Sequence, residues 1–138
     1  MNLKNSMHIT INDYHKIVGL IEMATLRNKM PDELGNLLDG LKKAKMVSQV
    51  NISRNVVTMN SRVLLKEIET EREIEITVTY PHNANPKERK VSVFSPIGAA
   101  LLGTQEGDVA SWKIPTGTGQ FKVEKVLYQP EAEGHYHL

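Results

Sequence analysis

Ser95-Pro96-Ile97-Gly98-Ala99-Ala100-Leu101-Leu102-Gly103 reads as a short helix with both of its ends marked. A serine N-cap accepts from the free first-turn amides, and proline suits the first helical position because it lacks only an amide the helix would not use. Glycine after the last turn adopts the left-handed conformation that ends a helix. Leu101 and Leu102 are then the side chains such a helix lays on a neighbouring layer. That layer is written upstream: Ile74, Ile76, Val78 and Tyr80 alternate with Glu73, Glu75, Thr77 and Thr79, the period of a strand with one buried and one wet face. A sheet carrying one short helix is an α+β arrangement.

Working outward, Val56 to Ile68 reads as the preceding strand, turned at Glu69 to Arg72. Pro81 to Arg89, with Pro86 in its middle, reads as a loop before a short strand at Val91 to Phe94. Trp112 and Ile114, then Phe121 and Val123, alternate on either side of Pro115 to Gly119, which has the composition of a hairpin turn. The expected sheet is small and antiparallel. Before residue 50 the period changes. Ile17, Leu20, Ile21 and Ala24 form one helical stripe, and Leu34, Leu37, Leu38 and Leu41 a second. Thr10 with Asp13, or Asn12, suits the start of the first helix; Pro31 with Asp32 and Glu33 suits the start of the second. The connection from Leu26 to Met30 favours antiparallel neighbours, so the N-terminal part is expected to be a helical hairpin only some 20 Å long. Gly35 and Gly40 weaken its second arm if they lie inside it.

The 138 residues suffice for one ordinary domain, or one domain with a short appendage. With 40% hydrophobic and 24% charged residues and a net charge of +1, the chain has the balance of a soluble protein. No basic stripe is present to neutralise phosphates, so no direct nucleic-acid binding is expected. Lys42, Lys43 and Lys45 read first as the positive complement to a helix C-terminus. Cysteine is absent, which excludes disulfides and thiol catalysis. Met1 to Ser6 lack a secretory signal's apolar core, and no window has the length of a membrane span; the cytoplasm is the expected compartment.

The run Ser95 to Gly103, followed by Gly107-Asp108, resembles the signature of the C-terminal domain of the Gre transcript cleavage factors. Val56-Val57-Thr58-Met59-Asn60-Ser61 resembles the start of the same domain. Tyr128-Gln129-Pro130-Glu131-Ala132 is similar to the ending found in one branch of the family, the regulators of nucleoside diphosphate kinase. The resemblance implies a short coiled-coil-like helical hairpin over 1–50 and an FKBP-like sheet domain over 51–138. It also implies a partner, RNA polymerase, held at the rim helices of its secondary channel; separately, the chain is expected to act as a monomer. In the family the contact maps partly to the loop entering the short helix, so Phe94, Ser95, Pro96 and Ile97 inherit that role here. Both readings stay open at these positions, because Phe94 and Ile97 also suit a core, Ser95 a cap and Pro96 a helix start. Hairpin-tip residues Arg27, Asn28, Lys29, Asp32 and Glu33 are the candidates for secondary polar contacts.

The chemistry is not that of an enzyme. Gre factors hold a catalytic magnesium with two carboxylates at the tip of a long coiled coil. Asp32 and Glu33 are neighbours and project about 100° apart on a helix, so capping explains them better, and the arm is short. His135 and His137 alternate but lack the third and fourth ligands of a zinc site, while His8, His15 and His82 stand alone in the sequence. Gly117 and Gly119 have neither the following helix nor the Gly-Lys-Ser/Thr ending of a phosphate loop. No cofactor is expected. Three functions compete: a polymerase-binding regulator that competes with Gre-type factors without stimulating cleavage, an FKBP-like peptidyl-prolyl isomerase, and a protein-binding modulator of nucleoside diphosphate kinase. Fold alone does not choose among them.

Overall fold

The structure is a computed structural model that describes residues 7–27, 32–114 and 117–138. In chain order it forms β1 (His8–Thr10), α1 (Ile11–Leu26), α2 (Asp32–Lys42), β2 (Lys45–Val47), β3 (Arg62–Glu67), β4 (Glu73–Thr79), β5 (Lys90–Ser92), α3 (Pro96–Leu101), β6 (Val109–Ile114) and β7 (Gly117–Tyr128). Strands β3 to β7 make one sheet in the order β5-β4-β3-β7-β6. The register of β3 on the long β7 slips between Arg62 and Val63 and again between Leu64 and Leu65. Such irregularities bend a strand and increase its twist, and the sheet curls.

The α+β class follows the sequence pattern, but the sheet is not wholly antiparallel. β5 lies parallel to β4, pairing Thr77 with Lys90 and Thr79 with Ser92. The reversal that permits this lies in the Pro81–Arg89 connection, which holds two short 3-10 turns, Pro81–Asn83 and Pro86–Glu88. Asn85 and Lys90 exchange backbone hydrogen bonds of 2.9 and 3.0 Å, and Arg89 between them takes a left-handed φ of 56°. A second correction concerns Val56–Ser61. These residues do not extend β3; they form a turn in which the Ser61 hydroxyl accepts from Thr58 N at 2.9 Å and Asn60 takes a φ of 66°.

Two strands have no counterpart in the sequence pattern. β1 and β2 flank the helices and pair in parallel, His8 with Lys45 and Thr10 with Val47. At three residues each they are too short to show a period. They close the base of the helix pair. Thr10 also caps α1, its hydroxyl accepting from Asp13 N at 3.1 Å. Pro31, expected to open the second helix, lies outside the described residues, as do Pro115 and Thr116 of the expected hairpin turn.

One contiguous core runs through helices and sheet. Ile17 and Ile21 of α1 and Leu34, Leu37 and Leu41 of α2 are buried together with Val63, Leu65, Ile76, Val78, Phe121 and Val123 of the sheet, and Leu101 of α3 and its C-cap Leu102 are fully enclosed. Two glycines make this closeness possible. A Cβ on Gly98 would stand 2.0 Å from Ser92 O, because α3 lies directly against β5. Gly103, at φ 79°, ends α3 as expected, but it is also covered: a Cβ there would meet Met7 Cγ at 2.1 Å. Gly98→Ala should therefore cost about 3 kcal/mol of stability, the upper range for overpacking. Gly35→Ala, which meets nothing within 4 Å, should raise stability by up to about 1 kcal/mol. Denaturant unfolding followed by the fluorescence of the single tryptophan, Trp112, checks both; equal effects would contradict this packing.

Candidate functional site

The entry to α3 is a small rigid loop. Ser95 Oγ donates to Ser92 O at 2.6 Å and accepts from Gly98 N at 3.2 Å, while Ser92 Oγ accepts from Phe94 N at 3.0 Å. These bonds fix the loop from inside. Phe94 and Ile97 are half-buried against the core, and Pro96 is exposed between them. The sequence-derived cap at Ser95 is thus present, and Phe94, Pro96 and Ile97 leave part of their apolar surface open to solvent.

At the other candidate group, Arg27 is the exposed C-cap of α1, its amide bonding to the carbonyls of Met23 and Ala24 at 3.2 Å each. Asn28 and Lys29 lie outside the described residues. Asp32 and Glu33 open α2, but their side chains also lie outside what the structure describes. The 16 residues of α1 span about 24 Å, so Arg27 stands at the far end of that helix from β1.

A buried polar cluster at the base of the helices escaped the sequence reading. Asp13, paired there only with Thr10, is 2% exposed. Its Oδ2 accepts from Met59 N at 3.2 Å and its Oδ1 from the Tyr80 hydroxyl at 3.1 Å. On the other side of the same turn, Glu131 Oε1 accepts from the Thr58 hydroxyl at 2.7 Å, and Thr58 Oγ1 lies 2.8 Å from Ser61 Oγ. Burial pushes the Asp13 carboxyl up from 3.8 to about 6, reinforced by the Glu131 charge; hydrogen bonds from Met59, Tyr80 and Thr10 pull it back. Burial and the Asp13 charge raise the Tyr80 phenol as well. A lone Asp in a first helical turn usually signals capping, and these partners lie 46 and 67 residues away, so local sequence carried no cue.

The histidines are less solitary than the sequence suggested. His8 Nδ1 lies 3.0 Å from Gln105 Nε2, His82 stacks on Tyr80, and His135 Nδ1 lies 2.6 Å from the Tyr128 hydroxyl. Among the described residues no three His, Cys, Asp or Glu side chains gather as a metal site would require. A groove of about 470 Å³ lies along the outer face of β3 and β4. Arg62, Glu73, Glu75, Glu88 and Arg89 line it with Leu64, and no aromatic ring does.

A curled sheet thus carries a serine-capped helix against its edge strand, behind a short helix pair. The sequence model described as "Transcription elongation factor, GreA/GreB, C-term" matches residues 52–128, and the chain belongs to that family. The regulator of nucleoside diphosphate kinase of Escherichia coli K12 is 39% identical over 100 residues, 71% of this chain and 73% of its own length. GreA of Alkaliphilus oremlandii is 33% identical over 71% of this chain, which spans 62% of that factor. Among solved structures, a GreA/GreB elongation factor from Nitrosomonas europaea superposes with a TM-score of 0.77 at 28% identity. That superposition covers 91% of this chain and all of the other. Relatives named in this way are factors and regulators rather than catalysts.

Because the folded state holds the Asp13 proton more tightly than the unfolded chain, the Asp13 contribution to stability is largest below pH 3.8. It falls as pH rises to about 6. Asp13→Asn removes this dependence. Between pH 4 and 7.5 the stability of the variant relative to the parent should move in its favour by about 2 kcal/mol in urea unfolding; a difference constant with pH would contradict the buried charge.

Proposed function

We propose that this chain is a cytoplasmic, RNA polymerase-binding transcription regulator. It docks at the rim of the secondary channel and competes with Gre-type factors there without stimulating transcript cleavage. The observation that carries this reading is the combination of family membership with a blunt arm: α2 has 11 residues, about 16 Å of helix. In this reading the curled, FKBP-like body at 51–138 does the gripping. Phe94, Pro96 and Ile97 bury against partner helices, with Ser95 holding their loop in shape, and the tip residues Arg27, Asn28, Lys29, Asp32 and Glu33 add polar contacts. The chain acts as a monomer and needs no cofactor. An effect on nucleoside diphosphate kinase, which the name of one relative suggests, is exerted through transcription.

Proline isomerisation finds less support. The groove on β3 and β4 is lined by charge, and Trp112 is engaged in stacking on Phe121 with centroids 4.5 Å apart. Direct binding of the kinase is the remaining alternative, and a pull-down that recovers kinase without polymerase would favour it.

Competition decides the main reading. Added to polymerase core enzyme with a Gre factor, this chain should suppress cleavage of stalled transcripts while supplying none itself. Pro96→Ala and Ser95→Glu should weaken co-purification with polymerase by about tenfold, the loss of roughly 1.4 kcal/mol of contact, with the folded signal of Trp112 retained. Cleavage by the chain alone, or full binding by both folded variants, would contradict the proposal.

A further inference from the structure

The Tyr128–Ala132 stretch lies almost wholly beyond the residues that the family model matches, yet the chain does not trail away there. Gln129 is 2% exposed, and its amide Nε2 donates to Ser53 O at 2.7 Å and to Val56 O at 2.8 Å. Glu131, 6% exposed, holds Thr58. The short turn Glu131–Glu133 and the bond from His135 N to Pro130 O at 2.8 Å fold the segment back. Gln49 Nε2 then donates to Tyr136 O at 3.0 Å. Each of these partners belongs to residues 49–58, the single covalent connection from β2, at the foot of the helices, to the body.

That connection is held from its other side by the helices themselves. Asp13 of α1 accepts from Met59 N, one residue beyond the Thr58 hydroxyl that Glu131 accepts from. Two buried carboxylates from opposite ends of the chain therefore grip one turn. Nothing in the sheet requires a C-terminal segment to do this, because β3 and β7 already pair along their length.

We infer that Gln129–Tyr136 is a clasp that fixes the direction in which the helix pair leaves the sheet body, by holding residues 49–58 and the 58–61 turn against the foot of α1. Without it, the helices keep their apolar contacts with α3 but the polar hinge beneath them is held from one side only. The inference stands apart from the identity of any partner. A polymerase-binding failure would leave it untouched, and its own failure would leave polymerase binding open.

The chain has no cysteine, so a spin-label pair at Glu22→Cys on α1 and Lys87→Cys in the Pro81–Arg89 connection, both exposed, reports that direction cleanly. The full-length parent should give one narrow distance distribution. Gln129→Ala and Glu131→Ala should broaden it. Amides at 57–61 and in the first turn of α1 should then exchange about tenfold faster, the equivalent of one lost buried hydrogen bond, with β7 amides unchanged. Glu131→Gln, which keeps an acceptor for the Thr58 hydroxyl, should stay near the parent. Unchanged distances and exchange in folded alanine variants would overturn the clasp. So would loss of the Trp112 signal in both, since the segment would then be core to the body rather than a clasp upon it.

Discussion

A carboxylate taken out of water must be surrounded by donors or give up its charge, and Asp13 finds its donors only where three parts of the chain meet. The first turn of α1 brings the carboxylate, the 58–61 turn brings Met59 N, and the end of β4 brings the Tyr80 hydroxyl. If any of the three moves away, a buried polar group is left without a partner at a cost of about 1–3 kcal/mol or more. The helices are therefore not a loose appendage. Their apolar stripes could slide over α3 and the sheet with little change in buried area, since burial has no direction, but the Asp13 bonds, with the C-terminal segment holding the turn they meet, narrow the seating.

The parts that sequence reveals are those whose cause is local. Ser95, Pro96 and Gly103 punctuate α3 through rules that act within one turn, and each stands where its type required. The alternation in β4 reports a strand because side chains point to opposite faces two by two. What escaped was set by distance. β1 and β2 exist because segments far apart in sequence meet, Met7 O accepting from Lys45 N at 2.8 Å and His8 N donating to Gly103 O at 3.3 Å. No window of sequence contains such a pair. Val56 and Val57 have strand-forming side chains, but Thr58, Asn60 and Ser61 are turn formers, and their hydroxyl and left-handed chemistry decides the local structure. The parallel placement of β5 was hidden in a stretch that composition marks only as a loop.

The candidate site divides the same way. The cap at Ser95 and the helix start at Pro96 were legible because such signals are local, whereas a contact role for Phe94 to Ile97 is something only the family resemblance implies. The buried pair Asp13 and Glu131 was not legible, because a carboxylate that reads as a helix-end or tail residue gives no sign of the distant donor it will meet. Of the tip residues, Arg27 caps the end of α1 and Asp32 and Glu33 open α2, a placement that follows from counting residues rather than from chemistry.

A body and arm joined through shared core and buried hydrogen bonds must unfold together. Differential scanning calorimetry of the intact chain at neutral pH tests this most directly: the account predicts one transition whose calorimetric and van't Hoff enthalpies agree. Two resolved transitions, or a van't Hoff enthalpy well below the calorimetric one, would show that the helices melt independently of the sheet and would contradict it.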